Sequence, residues 1–200
     1  MGESSSIKES ARMVVFASGS GSTFDAIAKA CQTGILPAEV ECLVSHKDGI
    51  GALSKAEALG ISSLIFDPEN FESRRQWDEQ MAQALRSLEP DWLVLAGFTQ
   101  KLGGEVLKVC PNQIVNTHPS LLPSYGGKGM YGLRVHKAVI ANDEKQTGVS
   151  VHYVTDEYDR GAVIAQKKVD VQPDDTPESL QRRVQSIEKP FYIETLKSLL

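Results

Sequence analysis

Asn116 and His118 are the residues of this chain best placed to do chemistry. They stand two apart in Ile114-Val115-Asn116-Thr117-His118-Pro119-Ser120-Leu121-Leu122-Pro123. On a strand, that spacing turns both side chains to one face. Asn brings a neutral amide donor, and His an imidazole that titrates near neutral pH. Aimed at one spot, they can serve a developing oxyanion and a moving proton. Further along, Asp156-Glu157-Tyr158-Asp159-Arg160-Gly161 offers carboxylates able to orient and charge that His. The plainer alternative is that each is a hydrogen-bonded structural residue, and spacing alone does not decide.

A second group lies nearer the start. Ser18-Gly19-Ser20-Gly21-Ser22-Thr23 follows an apolar run and precedes a helix-like stretch. Glycines let backbone amides approach an anion, and a helix N-terminus adds partial positive charge. The hydroxyls of Ser22 and Thr23 add donors. A dinucleotide fingerprint is not met, because Phe24 holds the place of the third glycine. The second strand ends at Ser45-His46, with no acid for a ribose. Nor is this a P-loop, since no Lys follows the glycines. The loop suits a single phosphate, such as a phosphoribosyl group; otherwise it is a glycine-rich turn with a hydroxyl helix cap. No Ser or Cys sits in a nucleophile elbow. His118, His136 and His152 lack the spacing of metal ligands, so no metal is expected.

Elements that would hold these groups can be read in order. Strands are predicted at Met13–Ala17, Val40–Ser45, Ser63–Phe66, Trp92–Ala96 and Gln113–Asn116. Helices alternate with them at Phe24–Cys31, Ala52–Leu59, Glu72–Leu88 and Gly104–Val109. Continuous apolar strands alternating with helices predict an α/β, mainly parallel sheet covered on both faces. His118 then lies at a C-terminal strand end, where open α/β sheets place their sites. After Pro119 come a glycine-rich loop, Tyr125 to Gly132, a helix at Val135–Ala141, and strands at Gly148–Val154 and Val163–Val171. Thr176-Pro177-Glu178 starts a last helix with a cap and a first-turn Pro, and Pro190 predicts a bend in it.

The whole chain bounds the function. With 200 residues, 41% hydrophobic and 24% charged, it fits one globular domain. A net charge of -5 does not advertise nucleic-acid binding. Cys31, Cys42 and Cys110 form no C-x-x-C pair, which fits a reducing cytosol. No apolar run is long enough for a membrane span. Met1 to Ser6 loosely matches a myristoylation pattern, but residues 1–11 read better as a disordered tail. Residues 12–200 read as a single domain, without repeats or linkers.

The motifs together resemble the phosphoribosylglycinamide formyltransferase family of purine biosynthesis. The likeness spans Val14 to about Glu188. It rests on Ser18 to Ser22, on Leu95-Ala96-Gly97-Phe98, on Asn116 to Pro123, and on Gly148 to Gly161. It implies a Rossmann-like formyltransferase fold with antiparallel strands toward the C-terminus. The phosphate-binding half would be about 12–112, and the folate and catalytic half about 113–200. The reaction implied is formyl transfer from 10-formyltetrahydrofolate to the amine of phosphoribosylglycinamide, with no metal. By that likeness Gly21, Ser22 and Thr23 hold the phosphate. Gln185, Ser186, Ile187 and Glu188 receive the ribose and glycinamide end. Arg74, Thr99, Gln100, Lys101, Leu102, Asn116, Thr155, Asp156, Glu157, Tyr158 and Asp159 contact the folate. Asn116, His118 and Asp159 match the catalytic residues.

Chemistry fits these roles. The amine attacks the formyl carbon, and charge on the formyl oxygen meets Asn116 and an imidazolium His118. Asp159 is expected to raise the His118 pKa and keep it protonated. The chain departs from many relatives at Thr23, where they carry Asn. It departs again at Thr99-Gln100-Lys101-Leu102, where they commonly read Met-Arg-Ile-Leu. Its loop after Pro123 is longer, either a lid or a surface elaboration. Partners are expected to be small molecules in the cytoplasm, with neither nucleic acid nor membrane; a homodimer stays open. Two rivals remain: another formyltransferase or formyltetrahydrofolate hydrolase, and a binding module with a dead site. The first usually carries an extra domain, for which 200 residues leave no room. Intact Asn116, His118 and Asp159 argue against the second.

Overall fold

β1 (Ala11–Phe16) is apolar on both sides, and each side meets a different core. Met13 and Val15 point into one, Val14 and Phe16 into the other. That is the mark of a central strand covered on both faces. The computed structural model describes residues 10–200, and the expected tail and myristoylation pattern fall mostly outside them. Ala11, assigned to that tail, opens β1.

The chain then runs through α1 (Ser22–Gln32), β2 (Ala38–Ser45), α2 (Gly51–Ala58), β3 (Ser62–Ile65), a 3-10 turn (Pro68–Asn70), α3 (Arg74–Ser87), β4 (Trp92–Leu95), α4 (Gly104–Leu107) and β5 (Ile114–His118). The remainder is α5 (Leu133–Ala141), β6 (Gln146–Tyr153), β7 (Val163–Asp170) and α6 (Pro177–Leu199). Sheet order is β3-β2-β1-β4-β5-β6-β7. Strands β1 to β5 pair in parallel, while β6 and β7 are antiparallel. The mainly parallel α/β class stands.

Local chemistry sets the boundaries. The helix expected from Glu72 starts at Arg74 because Ser73 caps it, accepting from the Gln76 amide at 3.1 Å. Asp78 of α3 accepts from the amides of Glu105 and Val106, at 2.8 and 3.3 Å, and so anchors the start of α4. α6 opens on a capping box of Thr176 and Ser179 and continues through Pro190, where a bend was expected. β5 runs two residues beyond the predicted Asn116, because Thr117 and His118 pair with Val151 and Ser150 of β6.

Register positions the site. Phe16 pairs with Leu95, and Leu95 with Asn116, so β1 and β4 end level with Asn116, and β5 runs two residues further, to His118. The chain leaves β1 toward β2 and returns to β4 on the other side, which makes this edge a topological switch point. β5 shares its faces unequally. Val115 lies in the core beneath α6, with Tyr192, whereas Ile114 faces the core of α3 and α4.

Candidate active site

The ends of β1, β4 and β5 open on a cavity of about 670 Å³. Its near pole is the loop after β1. Gly21 sits at the N-terminus of α1 with φ +70, and no side chain caps that helix. The first amides of α1, at Ser22 and Thr23, therefore keep unspent donors beside the cavity these residues line. Ser18 ties this loop to the one after β4: its Oγ accepts from the Thr99 amide at 2.9 Å and meets His46 Nδ1 at 3.0 Å.

At the far pole four side chains interlock. Asp159 Oδ2 lies 3.5 Å from His118 Nδ1, and its Oδ1 3.5 Å from His152 Nε2. His152 Nε2 is 3.1 Å from the Asn116 amide nitrogen. His152 Nδ1 faces the Tyr153 carbonyl at 2.8 Å, and a carbonyl only accepts. Neutral His152 thus carries its proton on Nδ1 and accepts from Asn116 through Nε2, fixing one amide hydrogen and leaving the other free. By the same argument His118 Nε2 donates to the Tyr125 carbonyl at 2.8 Å, and Nδ1 turns to Asp159.

Asp159 is held there by its backbone. It has φ +53, and its Oδ2 also accepts from the Gly127 amide at 2.8 Å. The turn that carries it folds tightly onto β6: a Cβ at Gly161 would stand 1.8 Å from the Tyr153 carbonyl oxygen. His118 and His152 are 4% and 2% exposed. Burial pulls the His118 pKa below its ordinary value, and the opposing pull of Asp159 is smaller. This corrects the expectation that Asp159 keeps His118 protonated. The carboxyl of Asp159 stays below its usual range: burial raises it, but His152 and His118 in their protonated forms, with the Gly127 amide, outweigh that.

A third wall comes from α6, where Gln181, Gln185 and Glu188 share one helical face along the cavity. Burial raises the Glu188 pKa against a hydrogen bond from Thr117. Ser186 and Ile187 do not line the cavity. Ser186 bonds back to the Arg183 carbonyl at 2.7 Å, and Ile187 packs on the core between α5 and α6.

Of the residues assigned to the folate, Thr99 to Leu102, Thr155 and Glu157 to Asp159 line the cavity, and Asp156 does not. Arg74 stands outside it, 3.7 Å above the Trp77 ring, bonded to Gln100 Oε1 at 3.2 Å and to the Lys101 carbonyl. It braces the Thr99–Leu102 segment. The glycine-rich loop forms cavity wall at Gly127 to Gly132.

His152 was missed by sequence reasoning. Its signal was the alternation of β6, which places it directly across from Asn116 in the antiparallel register.

Residues 11–196 match the formyl transferase family model. The chain belongs to the formyl transferase family. Among curated relatives, the chloroplastic phosphoribosylglycinamide formyltransferase of Arabidopsis thaliana is 36% identical over 94% of this chain, which spans only 65% of that relative's length. The phosphoribosylglycinamide formyltransferase of Bacillus subtilis is 33% identical, with 94% of each chain covered. A crystal structure of the Bacillus halodurans phosphoribosylglycinamide formyltransferase superposes with TM-score 0.88 at 35% identity, covering 94% of this chain and 95% of that one.

Proposed function

We propose that this protein transfers a formyl group from 10-formyltetrahydrofolate to the amine of 5-phosphoribosylglycinamide, in the cytoplasm and as a step of purine biosynthesis. One observation carries the reading. A single cavity holds an uncapped helix N-terminus at one pole and the Asn116–His152–Asp159–His118 cluster at the other. Among the described residues no helix is long and apolar enough to cross a membrane.

The phosphate docks on the amides of Gly21, Ser22 and Thr23, where the helix dipole favours an anion. Glu188 and Gln185 take the ribose and glycinamide end. The folate ring takes the wall that Leu95, Val154, Thr99 to Leu102, Thr155 and Glu157 to Asp159 line. The donor supplies an electrophilic formyl carbon. The free hydrogen of the Asn116 amide stabilises charge as it builds on the formyl oxygen. His118, neutral before reaction, takes the proton that the attacking amine must lose. Asp159 then pairs with the imidazolium at Nδ1 and offsets its charge, while Nε2 stays on the Tyr125 carbonyl, and the proton passes on to the leaving nitrogen.

The test is absorbance of the folate product with and without phosphoribosylglycinamide. Turnover only with the acceptor is expected. Product release without it points to a hydrolase, and ligand binding without turnover to a binding module; either overturns the reading.

A further inference from the structure

The spacing that puts Asn116 and His118 on one face of β5 throws Thr117 to the other. There it meets α6. Thr117 Oγ1 donates to Glu188 Oε1 at 3.2 Å, and Thr117 is 6% exposed. Both residues line the cavity. Glu188 has no other hydrogen-bond partner among the described residues, so this hydroxyl alone fixes the rotation of its carboxylate. The backbone beneath is rigid, because the buried Tyr192 hydroxyl sits 3.1 Å from the Leu95 carbonyl and 3.3 Å from the Val115 carbonyl.

We infer that Thr117 is a positioning residue for the acceptor: it holds Oε1 of Glu188 so that Oε2 faces the cavity to accept from the substrate's hydroxyl or amide hydrogens. This rests on the reading of Glu188 as part of the acceptor site. One strand thereby serves both substrates. One face of β5 handles the reacting atoms, and the opposite face orders the group that holds the acceptor. A free carboxylate rotor would have to be ordered at each binding event, which weakens binding without touching the chemical step.

Thr117→Val keeps the shape and removes the donor. The expected result is a rise in acceptor KM of roughly ten-fold, the scale of a hydrogen bond to a charged group. The kcat at saturation and the KM for the formyl donor stay unchanged, and Thr117→Ser restores the acceptor KM. In the double variant T117V/E188Q the acceptor KM matches that of E188Q alone, because Thr117 acts only through Glu188. Thr117→Ala, with the same expectations, replaces T117V if valine does not fold. An unchanged acceptor KM in T117V, a loss confined to kcat, or additive effects in the double variant overturns the inference. If E188Q itself leaves the acceptor KM unchanged, the Glu188 assignment falls first. If E188Q raises it and T117V does not, only the role of Thr117 falls.

Discussion

The two poles of the cavity are built from different materials. At the Gly21 pole the donors are backbone amides at the open end of α1, and no Lys or Arg stands in the loop. At the His118 pole the donors and acceptors are side chains, each held by another, with both His rings buried and Asn116 and Asp159 half-buried. A backbone site depends on the chain's path, so it tolerates changes of side chain and fails at the glycine that shapes it. A side-chain site depends on every member, because each orients the next.

The comparison is tested most strongly at the His118 pole. His118→Ala, Asn116→Ala and Asp159→Asn are each expected to lower kcat by about 10²–10³, the range for removal of one preorganised group. Near-normal turnover in any of them ends its assignment. The pH profile separates the two roles considered for His118. A neutral His118 acting as base gives a rate that falls as pH drops below a value lower than the ordinary imidazole pKa, since burial lowers it. Asp159 raises the His118 pKa, so in D159N the residual rate should carry that acid limb at still lower pH. A limb that instead falls on the alkaline side would restore the imidazolium as the resting form.

Burial at that pole also carries a stability term. His136 of α5 lines the cavity, is 1% exposed, and its Nδ1 has no partner among the described residues. Burial, with His118 nearby, lowers its pKa to about 4 from 6.5. The unfolded chain therefore takes up a proton that the folded chain refuses. Stability from the neutral ring is complete above the unfolded value of 6.5 and is lost as pH falls toward about 4. The loss across that window is roughly 3–4 kcal/mol at most. Urea unfolding of wild type and His136→Leu at several pH values between 7 and 4 should show the flatter dependence in the variant. Parallel curves would mean that His136 titrates alike in both states.

How much of this was legible in the sequence differs between the poles for a physical reason. The loop of backbone donors is local: Ser18 to Thr23 is contiguous, and glycine content and helix start are both visible in it. The parallel strands were legible too, since Val14, Val15 and Phe16 are apolar without alternation. The His118 cluster is not local. Asn116 and His152 meet only because β6 runs antiparallel to β5 with those two residues paired, and register cannot be read from either strand alone. Asp159 was picked out by family likeness, and its positive φ comes from the turn closed at Gly161. The sign of the His118 shift needed burial, which spacing does not report. Ser186 and Ile187 were drawn in by adjacency to Glu188, although on a helix only every third or fourth residue shares a face.

At the Gly21 pole the sharpest break is the glycine itself. A Cβ there would stand 2.5 Å from the Ala52 Cα, in a left-handed conformation that already disfavours a side chain. Gly21→Ala should lower stability by about 1–3 kcal/mol and raise the acceptor KM, with the donor KM unchanged. Unfolding midpoints and both KM values check this. A fully stable variant with normal acceptor binding would show that the loop shifts freely and that its path is not the determinant.

The smallest effects should come from the hydroxyls of that same loop. At this pole Ser22 and Thr23 are expected to contribute mainly their amides, which Ser22→Ala and Thr23→Ala leave in place. Each lost hydroxyl donor is expected to raise the acceptor KM only a few-fold, on the order of one neutral hydrogen bond in water-accessible surroundings. Thr23→Asn, which installs the residue common among relatives, should bind the acceptor as well as wild type, because an amide replaces a hydroxyl donor at an unchanged backbone. A loss at Ser22→Ala or Thr23→Ala as large as that at Gly21→Ala would mean that side chains rather than amides hold the phosphate, and the contrast between the poles would vanish.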